Sequence, residues 1–200
     1  MNRILTLALT FAFSIGWAHA QTIRRGDCVV DSELWTLPAC AIETHNDGLY
    51  VSKVYLPLFF ASTGTAMQTG TSRNLAWTQM PAGGWAYFNR RGLVVVQNVA
   101  TMDNGPSEFH HGLVRIIKRG KWGLSNPQGR LIVPLKYDGI SDYEEGKGWL
   151  ACSGCHTEAE EGGEYHFFKG GNWVWLDSHG KVSGTASFPS PESDQKAQNK

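Results

Sequence analysis

The chain has 200 residues, with 18 Lys and Arg against 18 Asp and Glu, so its formal net charge is zero. This balance provides no basic face, which excludes nucleic acid and anionic membrane surfaces as expected partners. The 23 glycines and 8 tryptophans favour short strands and tight turns over long helices. The length predicts one domain.

The first twenty residues have the pattern of a secretory signal peptide. Arg3 precedes an apolar run from Ile4 to Trp17, and Ala18-His19-Ala20 is a small-x-small cleavage motif. The apolar run is shorter than the roughly 20 residues of a membrane-spanning helix. We therefore predict residues 1–20 to be a signal peptide cleaved after Ala20, a periplasmic or secreted location, and no membrane span in the mature chain.

Residues 21–74 form an N-terminal segment that precedes the more regular part of the sequence. Cys28 and Cys40 are close enough in sequence to form a disulfide-closed loop, which stabilises a fold by about 3 kcal/mol through loop-closure entropy. A strand is predicted at Leu49–Tyr55, and a degenerate first repeat is one interpretation of this segment.

A tryptophan-to-glycine pattern then occurs three times. The stretches WAYFNRRGLV, WGLSNPQGRL and WVWLDSHGKV align without gaps. Each begins with Trp, has Asn or Asp four residues later, and has Gly seven residues after the Trp. The residues of the pattern are Trp85, Asn89 and Gly92, then Trp122, Asn126 and Gly129, then Trp173, Asp177 and Gly180.

The pattern predicts a three-stranded β-meander in each unit. Asn or Asp opens a turn by hydrogen bonding to its own backbone, and Gly accepts positive φ. Tight turns are expected at Lys118–Lys121 and Lys169–Asn172, and Pro81 is expected in a turn. We predict repeats at 75–112, 113–151 and 165–182 within residues 75–185, an insertion at 152–164, and a disordered tail at 186–200.

The predicted fold class is therefore all-β. A single meander cannot cover its own apolar face, so antiparallel meander and hairpin repeats are expected to stack as an open array. A closed, propeller-like ring is the alternative. Trp85, Trp122 and Trp173 are predicted to be core residues between units, and an aromatic ligand-binding face is the alternative role for them.

The stretch RGKWGLSNPQGRLIVPLKYDGISDYEEG resembles the WG repeat family, also called KWG. The resemblance is carried at 120–146 by the Lys-Trp-Gly motif, the Asn-x-x-Gly turn, Pro134, the Tyr137-Asp138 pair and Gly146. It is weaker at 84–112 and partial at 165–182. The resemblance implies an exported all-β repeat module with a binding or scaffolding role, and it supplies no catalytic residues to carry over.

The motif Cys152-Ser153-Gly154-Cys155-His156 lies in the insertion and admits several chemistries. Covalent haem would use both thiols and His156 as the iron ligand, a redox dithiol would use the thiols alone, and zinc would add His156 or His166. The sequence around the motif offers no apolar haem pocket, no helix start to lower a thiol pKa, and no second ligand pair. We expect a disulfide clip, an exposed loop histidine and no cofactor, with haem as the alternative.

The remaining polar residues suggest surface roles. His110 and His111 stand where Glu144 and Glu145 stand in the next unit, so these positions are expected to face solvent. Asp138 and Asp142 are expected to cap backbone groups. The function predicted from the sequence is a non-catalytic binding or scaffold module for a protein or an envelope glycan. A periplasmic redox or haem-carrying protein is the alternative.

Overall fold

The computed structural model describes residues 22–25, 28–31, 37–60, 74–101, 105–160, 163 and 166–187. The predicted signal peptide, the side chain of Cys28 and residues 188–200 of the predicted tail lie outside the described residues. The described part of the chain holds no helix that is long and apolar enough to cross a bilayer.

The described chain is almost entirely β-structure, which confirms the predicted fold class. Besides the strands there are a 3-10 turn at Ala39–Ala41 and one short helix, α1, at Leu56–Phe60. The strands are β1 (Thr22–Arg25), β2 (Cys28–Asp31), β3 (Ile42–His45), β4 (Gly48–Val51), β5 (Leu75–Gln79), β6 (Trp85–Asn89), β7 (Val94–Val99), β8 (Val114–Lys118), β9 (Lys121–Ser125), β10 (Leu131–Tyr137), β11 (Gly139–Glu144), β12 (Gly148–Ser153), β13 (His156–Ala159), β14 (His166–Lys169), β15 (Asn172–Leu176) and β16 (Val182–Ala186).

All pairing between these strands is antiparallel. Strands β5 to β10 form a six-stranded sheet in chain order, so that a first meander, unit 1 (β5–β7), is followed by a second, unit 2 (β8–β10). A four-stranded sheet has the order β11-β12-β15-β16, and β1–β2, β3–β4 and β13–β14 are separate hairpins. No sheet among the described strands closes on itself, and the repeats form an open array, as the sequence predicted.

The three Asn or Asp turns share one hydrogen-bond pattern, which confirms the local prediction. In unit 2, the N–H of Gly129 donates to the Asn126 carbonyl at 2.9 Å. The Oδ1 of Asn126 accepts the N–H groups of Gln128 and Arg130 at 3.1 and 2.9 Å. The same bonds form around Asn89 and Asp177. Backbone N–H donation from Lys181 and His179 lowers the pKa of the Asp177 carboxyl.

The glycine of each turn lies against the last strand of the preceding unit. A Cβ on Gly129 would be 2.0 Å from the carbonyl oxygen of Val95 in unit 1, and a Cβ on Gly180 would be 2.6 Å from the Val133 side chain in unit 2. All three glycines have positive φ, between 78° and 89°. Glycine is therefore required twice over, by the backbone conformation and by the close approach.

The turn of unit 1 docks in the same way on the β3–β4 hairpin, which we call the head hairpin. A Cβ on Gly92 would be 2.3 Å from the Val51 carbonyl oxygen, and the Val51 N–H donates to the Gly92 carbonyl at 2.8 Å. The head hairpin thus takes the place of a unit before unit 1. Its second strand ends at Val51, so the strand predicted at Leu49–Tyr55 is shorter than expected and gives way to a turn and to α1.

Unit 3 is assembled differently from the sequence prediction. A turn at Lys169–Asn172 was expected to pair the strands on either side of it, but β15 pairs with β12, with Ser153 opposite Asn172. Strand β14 pairs instead with β13, with His156 opposite Lys169. Unit 3 therefore consists of β12, β15 and β16, and β13 and β14 form a hairpin that is inserted in place of its first turn, between Ser153 and Asn172.

The apolar core is divided into one cluster for each junction between neighbouring units. Unit 1 presents Ala86 and Phe88 of β6 to the N-terminal segment, and Tyr87 on its other face to unit 2. Units 2 and 3 share the largest cluster, which includes Trp122 and Trp149. Each unit thus buries its apolar side chains only by packing against its neighbours. Stability in a repeat array comes from such interfaces between adjacent units.

Two glycine substitutions separate the effects of docking and of backbone conformation. Gly129→Ala should lower the free energy of unfolding by about 3 kcal/mol, because left-handed strain of 1–2 kcal/mol is added to an overpacking clash. Gly146→Ala is the control, since Gly146 has φ of +80° but open space around its Cβ position. It should cost only the strain. Equal losses for the two variants in urea denaturation would show that turn docking contributes nothing.

Candidate binding surfaces

The inserted hairpin continues the strands of unit 3 outward. Strands β12 and β13 run in one direction and β14 and β15 return, with a break at Gly154 and Cys155 opposite Gly170 and Gly171. Both Gly170 and Gly171 have positive φ, and a Cβ on Gly171 would lie 2.5 Å from the Ser153 carbonyl oxygen. The break therefore lets the outer pair of strands, β13 and β14, run in a different direction from the inner pair, β12 and β15.

Polar contacts hold the base of the inserted hairpin to unit 2 and unit 3. Asp138 accepts the N–H of Gly154 at 2.8 Å and pairs with Lys121 of β9. These contacts hold the pKa of the Asp138 carboxyl below its ordinary value, chiefly through Lys121. On the other strand, Trp173 Nε1 donates to the Gly170 carbonyl at 2.8 Å. Asp138 therefore does bind a backbone group, as predicted, but across the insertion and not within its own turn.

An apolar contact also anchors the hairpin. Phe168 of β14 is buried and meets the Trp122 ring edge to face, with 5.4 Å between ring centroids. A Cβ on Gly139 would lie 2.6 Å from the Phe168 ring, so the ring sits directly on the backbone of β11. The hairpin is thus part of the core between units 2 and 3, and its outer part projects from a fixed base.

The predicted clip at the base is present. Cys152 and Cys155 form a disulfide with 5.9 Å between their Cα atoms. Cys152 is fully buried between β11 and β15, and Cys155 is partly buried. Cys40 is also disulfide-bonded, whereas the side chain of its predicted partner Cys28 is outside the described part of the chain.

Charged side chains line the outer hairpin. His156 is exposed, as predicted, but it begins strand β13 and does not lie in a loop. Its Nε2 is 2.9 Å from Glu158 Oε1, and Lys169 Nζ donates to Glu158 Oε2 at 2.9 Å. Hydrogen bonds from Lys169 and then His156 lower the pKa of the Glu158 carboxyl. Among the described residues, no cluster of three or more His, Cys, Asp or Glu could hold a metal ion.

The three pattern tryptophans differ in burial. Trp122 and Trp173 are buried in the core between units 2 and 3, as predicted. Trp85 is only partly buried, because in unit 1 it packs edge to face on Trp77 at 5.1 Å, on the margin of its cluster. Trp149 is 1% exposed and belongs to the same core as Trp122. It lies outside the repeated ten-residue motif, so the repeat pattern does not predict its burial.

A buried arginine joins units 2 and 3, and sequence reasoning did not identify it. Arg115 of β8 donates to Ser107 Oγ at 2.9 Å and to the Ile140 carbonyl at 3.1 Å, and it pairs with Asp142. Its guanidinium also lies 6.0 Å from the centroid of the Trp122 ring. Burial lowers the pKa of Arg115, and Asp142 opposes that effect. The sequence predicts that Asp142 caps a backbone group, whereas the structure places its carboxylate in this ion pair with Arg115.

The histidine pair stands beside an aromatic residue of the next junction. The His110 ring stacks on Tyr143 at 5.2 Å with an interplanar angle of 15°, and His111 lies 5.0 Å from the same ring. His111 is exposed, as expected, and its Nε2 is 3.9 Å from Glu145. His110 is partly buried, so the prediction that both face solvent is wrong for His110.

The described residues form two clefts that lie toward opposite ends of the repeat order. The head cleft, beside the head hairpin, has a volume of about 430 Å³ and is lined by Glu43, His45, Asp47, Tyr50, Val51, Ser52, Lys53 and Arg91. The tail cleft, on unit 3, has a volume of about 210 Å³ and is lined by Lys147, Trp175, Ser183 and Gly184. Their lining is polar at the head and centred on a tryptophan at the tail.

Two opposing contributions determine how much the Arg115 network adds to the free energy of unfolding. Desolvation of a guanidinium favours its replacement by an apolar residue, whereas loss of its bonds leaves the Ile140 carbonyl and Ser107 unpaired, at 1–3 kcal/mol for a buried group. Because two acceptors lose their donor, Arg115→Met should lower the free energy of unfolding by about 2 kcal/mol. Arg130→Met, at an exposed turn position, is the control. A neutral or stabilised Arg115→Met variant in urea denaturation would mean that desolvation dominates.

One comparison with known proteins gives a match, and it falls on the best-formed part of the array. Residues 122–151 match the family model of the WG containing repeat. The match begins at Trp122 in β9 and ends in β12, so it includes the Asn126 turn, Asp138 and the whole of β11. Neither a curated protein nor a solved structure shows significant similarity to the chain. This part of the chain is therefore similar to a WG containing repeat, which suggests a repeat module.

Proposed function

We propose that the protein is an exported, non-catalytic β-repeat module that binds a protein or envelope-glycan partner through its inserted hairpin. The observation that carries this proposal is the anchoring of that hairpin. Phe168 sits in the core, Asp138 holds the Gly154 N–H, and a disulfide closes the base. A projecting element fixed at its base loses little conformational entropy on binding, which favours affinity.

The chemistry of the outer hairpin supports recognition by charge and by backbone pairing. His156, Glu158 and Lys169 form exposed ion pairs that a partner of complementary charge could exchange for its own. Strand β13 is paired with β14 over four residue pairs, and such a two-stranded ribbon can accept an extended segment at its edge. Of the two partner classes, an extended protein segment fits these features better than a glycan.

The disulfide at the hairpin base supports export, because such bonds persist in oxidising compartments. We propose that Cys152 and Cys155 act as a structural clip. A reactive thiol needs exposure and an electropositive setting, whereas Cys152 is fully buried and the base of the hairpin carries the Asp138 carboxylate. Covalent haem attachment likewise needs two accessible thiols, and His156 Nε2 is held by Glu158.

The binding role can be tested with charge-reversed hairpins. Purified protein would be used as cross-linking bait in an envelope fraction, and captured proteins would be quantified by mass spectrometry, with glycan co-sedimentation in parallel. Glu158→Lys combined with Lys169→Glu should reduce capture about tenfold, because charge mismatch suppresses a cognate partner. Arg130→Glu, on the distant turn of unit 2, is the matched control and should leave capture unchanged.

A second bait removes the insertion altogether. Ser153 and Asn172 face each other as Lys118 and Lys121 do in unit 2, so the Arg-Gly turn of unit 2 can replace residues 154–171, together with Cys152→Ala. This variant also removes Phe168 from the core, so its melting temperature should fall, but below that temperature it should keep its β-structure by circular dichroism and lose the partner. Capture that survives both the reversal and the deletion would refute binding through the hairpin.

The clip role predicts inert cysteines. The folded protein should show no thiol reactive to a chromogenic disulfide reagent. Mild thiol reductants should expose Cys152 only under conditions that unfold unit 3, because the sulfur is buried. Rapid reversible reduction of the folded protein, or a Soret band in the purified protein, would instead support the redox or haem-carrying alternative.

A further inference from the structure

The head cleft lies where the head hairpin meets the turn of unit 1. Tyr50 of β4 forms a β-bridge with Leu93, directly after the turn glycine Gly92, and the Val51 N–H donates to the Gly92 carbonyl. Arg91, the residue before that glycine, lines the cleft together with residues of the hairpin. Its volume of about 430 Å³ falls within the roughly 300–1,000 Å³ of small-molecule sites. The cleft therefore has a hydrogen-bonded floor and room for a small ligand.

The side chain of Arg91 is not needed by the turn in which it lies. The Arg91 N–H donates to Asn89 Oδ1 at 2.9 Å, and in unit 2 the Gln128 N–H makes the same bond to Asn126. Glutamine serves the turn as arginine does, because only the main chain of this residue takes part. The Arg91 guanidinium has no ion-pair or hydrogen-bond partner in the described part of the chain. It is therefore available to a ligand.

The charges that line the cleft are unequally paired. Glu43 pairs with His45 at 3.2 Å. Asp47 accepts the Tyr50 hydroxyl at 2.7 Å. The Lys53 ammonium, like the guanidinium of the turn, has no such partner among the described residues. Two cations without a partner indicate a ligand with an anionic group, since an oxyanion accepts charge-assisted hydrogen bonds from both.

A buried serine and an aromatic ring supply the neutral part of the site. Ser52 lines the cleft and is only 5% exposed, and its hydroxyl has no hydrogen-bond partner among the described residues. Because a buried hydroxyl without a partner is unfavourable, a ligand hydroxyl that bonds to Ser52 gains binding free energy. The Asp47 carboxylate can accept more hydrogen bonds than the one from Tyr50, and the Tyr50 ring offers an apolar surface. A ring with several hydroxyls fits these groups.

We propose that the head cleft binds an acidic sugar, whose carboxylate accepts hydrogen bonds from Arg91 and Lys53. The ring hydroxyls bond to Ser52 and Asp47, and the ring lies against Tyr50. The carboxylate orients the ligand, and the hydroxyl contacts select a sugar over a simple carboxylate. The head cleft is a different surface from the inserted hairpin, so this proposal does not depend on the proposed function.

Isothermal titration calorimetry of the purified chain with three probes tests the class of ligand. Glucuronate has both a sugar ring and a carboxylate, glucose has the ring alone, and acetate has the carboxylate alone. Glucuronate should bind with a Kd on the order of 1 mM. The other two should bind about tenfold more weakly, since each lacks one set of bonds. Equal binding of acetate, equal binding of glucose, or no binding of glucuronate overturns the proposal.

A substitution at the turn tests the residue that carries the charge. Arg91→Gln installs the residue type that unit 2 has at the same turn position, so the melting temperature should not change. Glucuronate binding should weaken about tenfold, because a charge-assisted hydrogen bond is lost. Arg130→Gln removes the same charge beside the turn of unit 2 and is the matched control, with unchanged affinity expected. An Arg91→Gln variant that binds glucuronate as the unmodified chain does contradicts the proposal, as does an equal loss in Arg130→Gln.

The position of the ligand can be read independently of any substitution. In the ¹⁵N-labelled chain, glucuronate should shift the amide resonances of residues 50–53 and 90–93, which form the floor and the turn of the cleft. The amide resonances of the inserted hairpin should stay unchanged. Shifts confined to the inserted hairpin would place the sugar on the other surface and would refute binding in the head cleft.

Discussion

The approach of a turn glycine to the preceding strand is the contact on which this architecture depends. Gly92 and Gly129 each lie against a backbone carbonyl of the unit before, where a Cβ would come within 2.3 and 2.0 Å of the oxygen, and a Cβ on Gly180 would lie 2.6 Å from the Val133 side chain. The contact fixes how far apart successive units sit, and hence which faces of their strands meet. The separate core clusters between units follow from that spacing, because each unit buries residues of its second strand only when a neighbour is docked.

The junction between units 2 and 3 adds polar contacts to this apolar arrangement. The Arg115 guanidinium donates hydrogen bonds to two other segments of the chain, at Ser107 and Ile140. The Asp142 carboxylate offsets part of the guanidinium's positive charge. A hydrogen bond is directional, so this network permits one relative placement of β8 and β11, whereas an apolar contact would tolerate sliding. At the equivalent position of unit 3 stands Leu150, which shows that the repeat itself does not require an arginine there.

The insertion shows how a repeat unit can gain a projecting hairpin while the pairing of its own strands is kept. Residues 154–171 replace the two-residue turn of unit 2, yet the strands on either side keep the same pairing, with Ser153 opposite Asn172. The added chain contributes Phe168 to the core and leaves His156, Glu158 and Lys169 outside. The part of the hairpin near its base therefore serves stability, and the outer part is free to differ with the partner.

The sequence by itself determined the features that depend on short-range contacts. The three turns were predictable because an Asn or Asp side chain bonds to residues two and four positions on, and because positive φ selects Gly. The meanders of units 1 and 2 and the burial of Trp122 and Trp173 could be inferred from the same repeated pattern, and the clip at Cys152–Cys155 from the close spacing of two cysteines in a chain with a predicted signal peptide. The tertiary structure decided the rest. Whether β15 pairs with β12 or β14 depends on which apolar faces meet the core, a long-range choice that two adjacent glycines in the local sequence could not reveal. Contacts between segments that are far apart in sequence also produce the partial exposure of Trp85, the Arg115 network and the two clefts. Local sequence patterns do not predict such contacts.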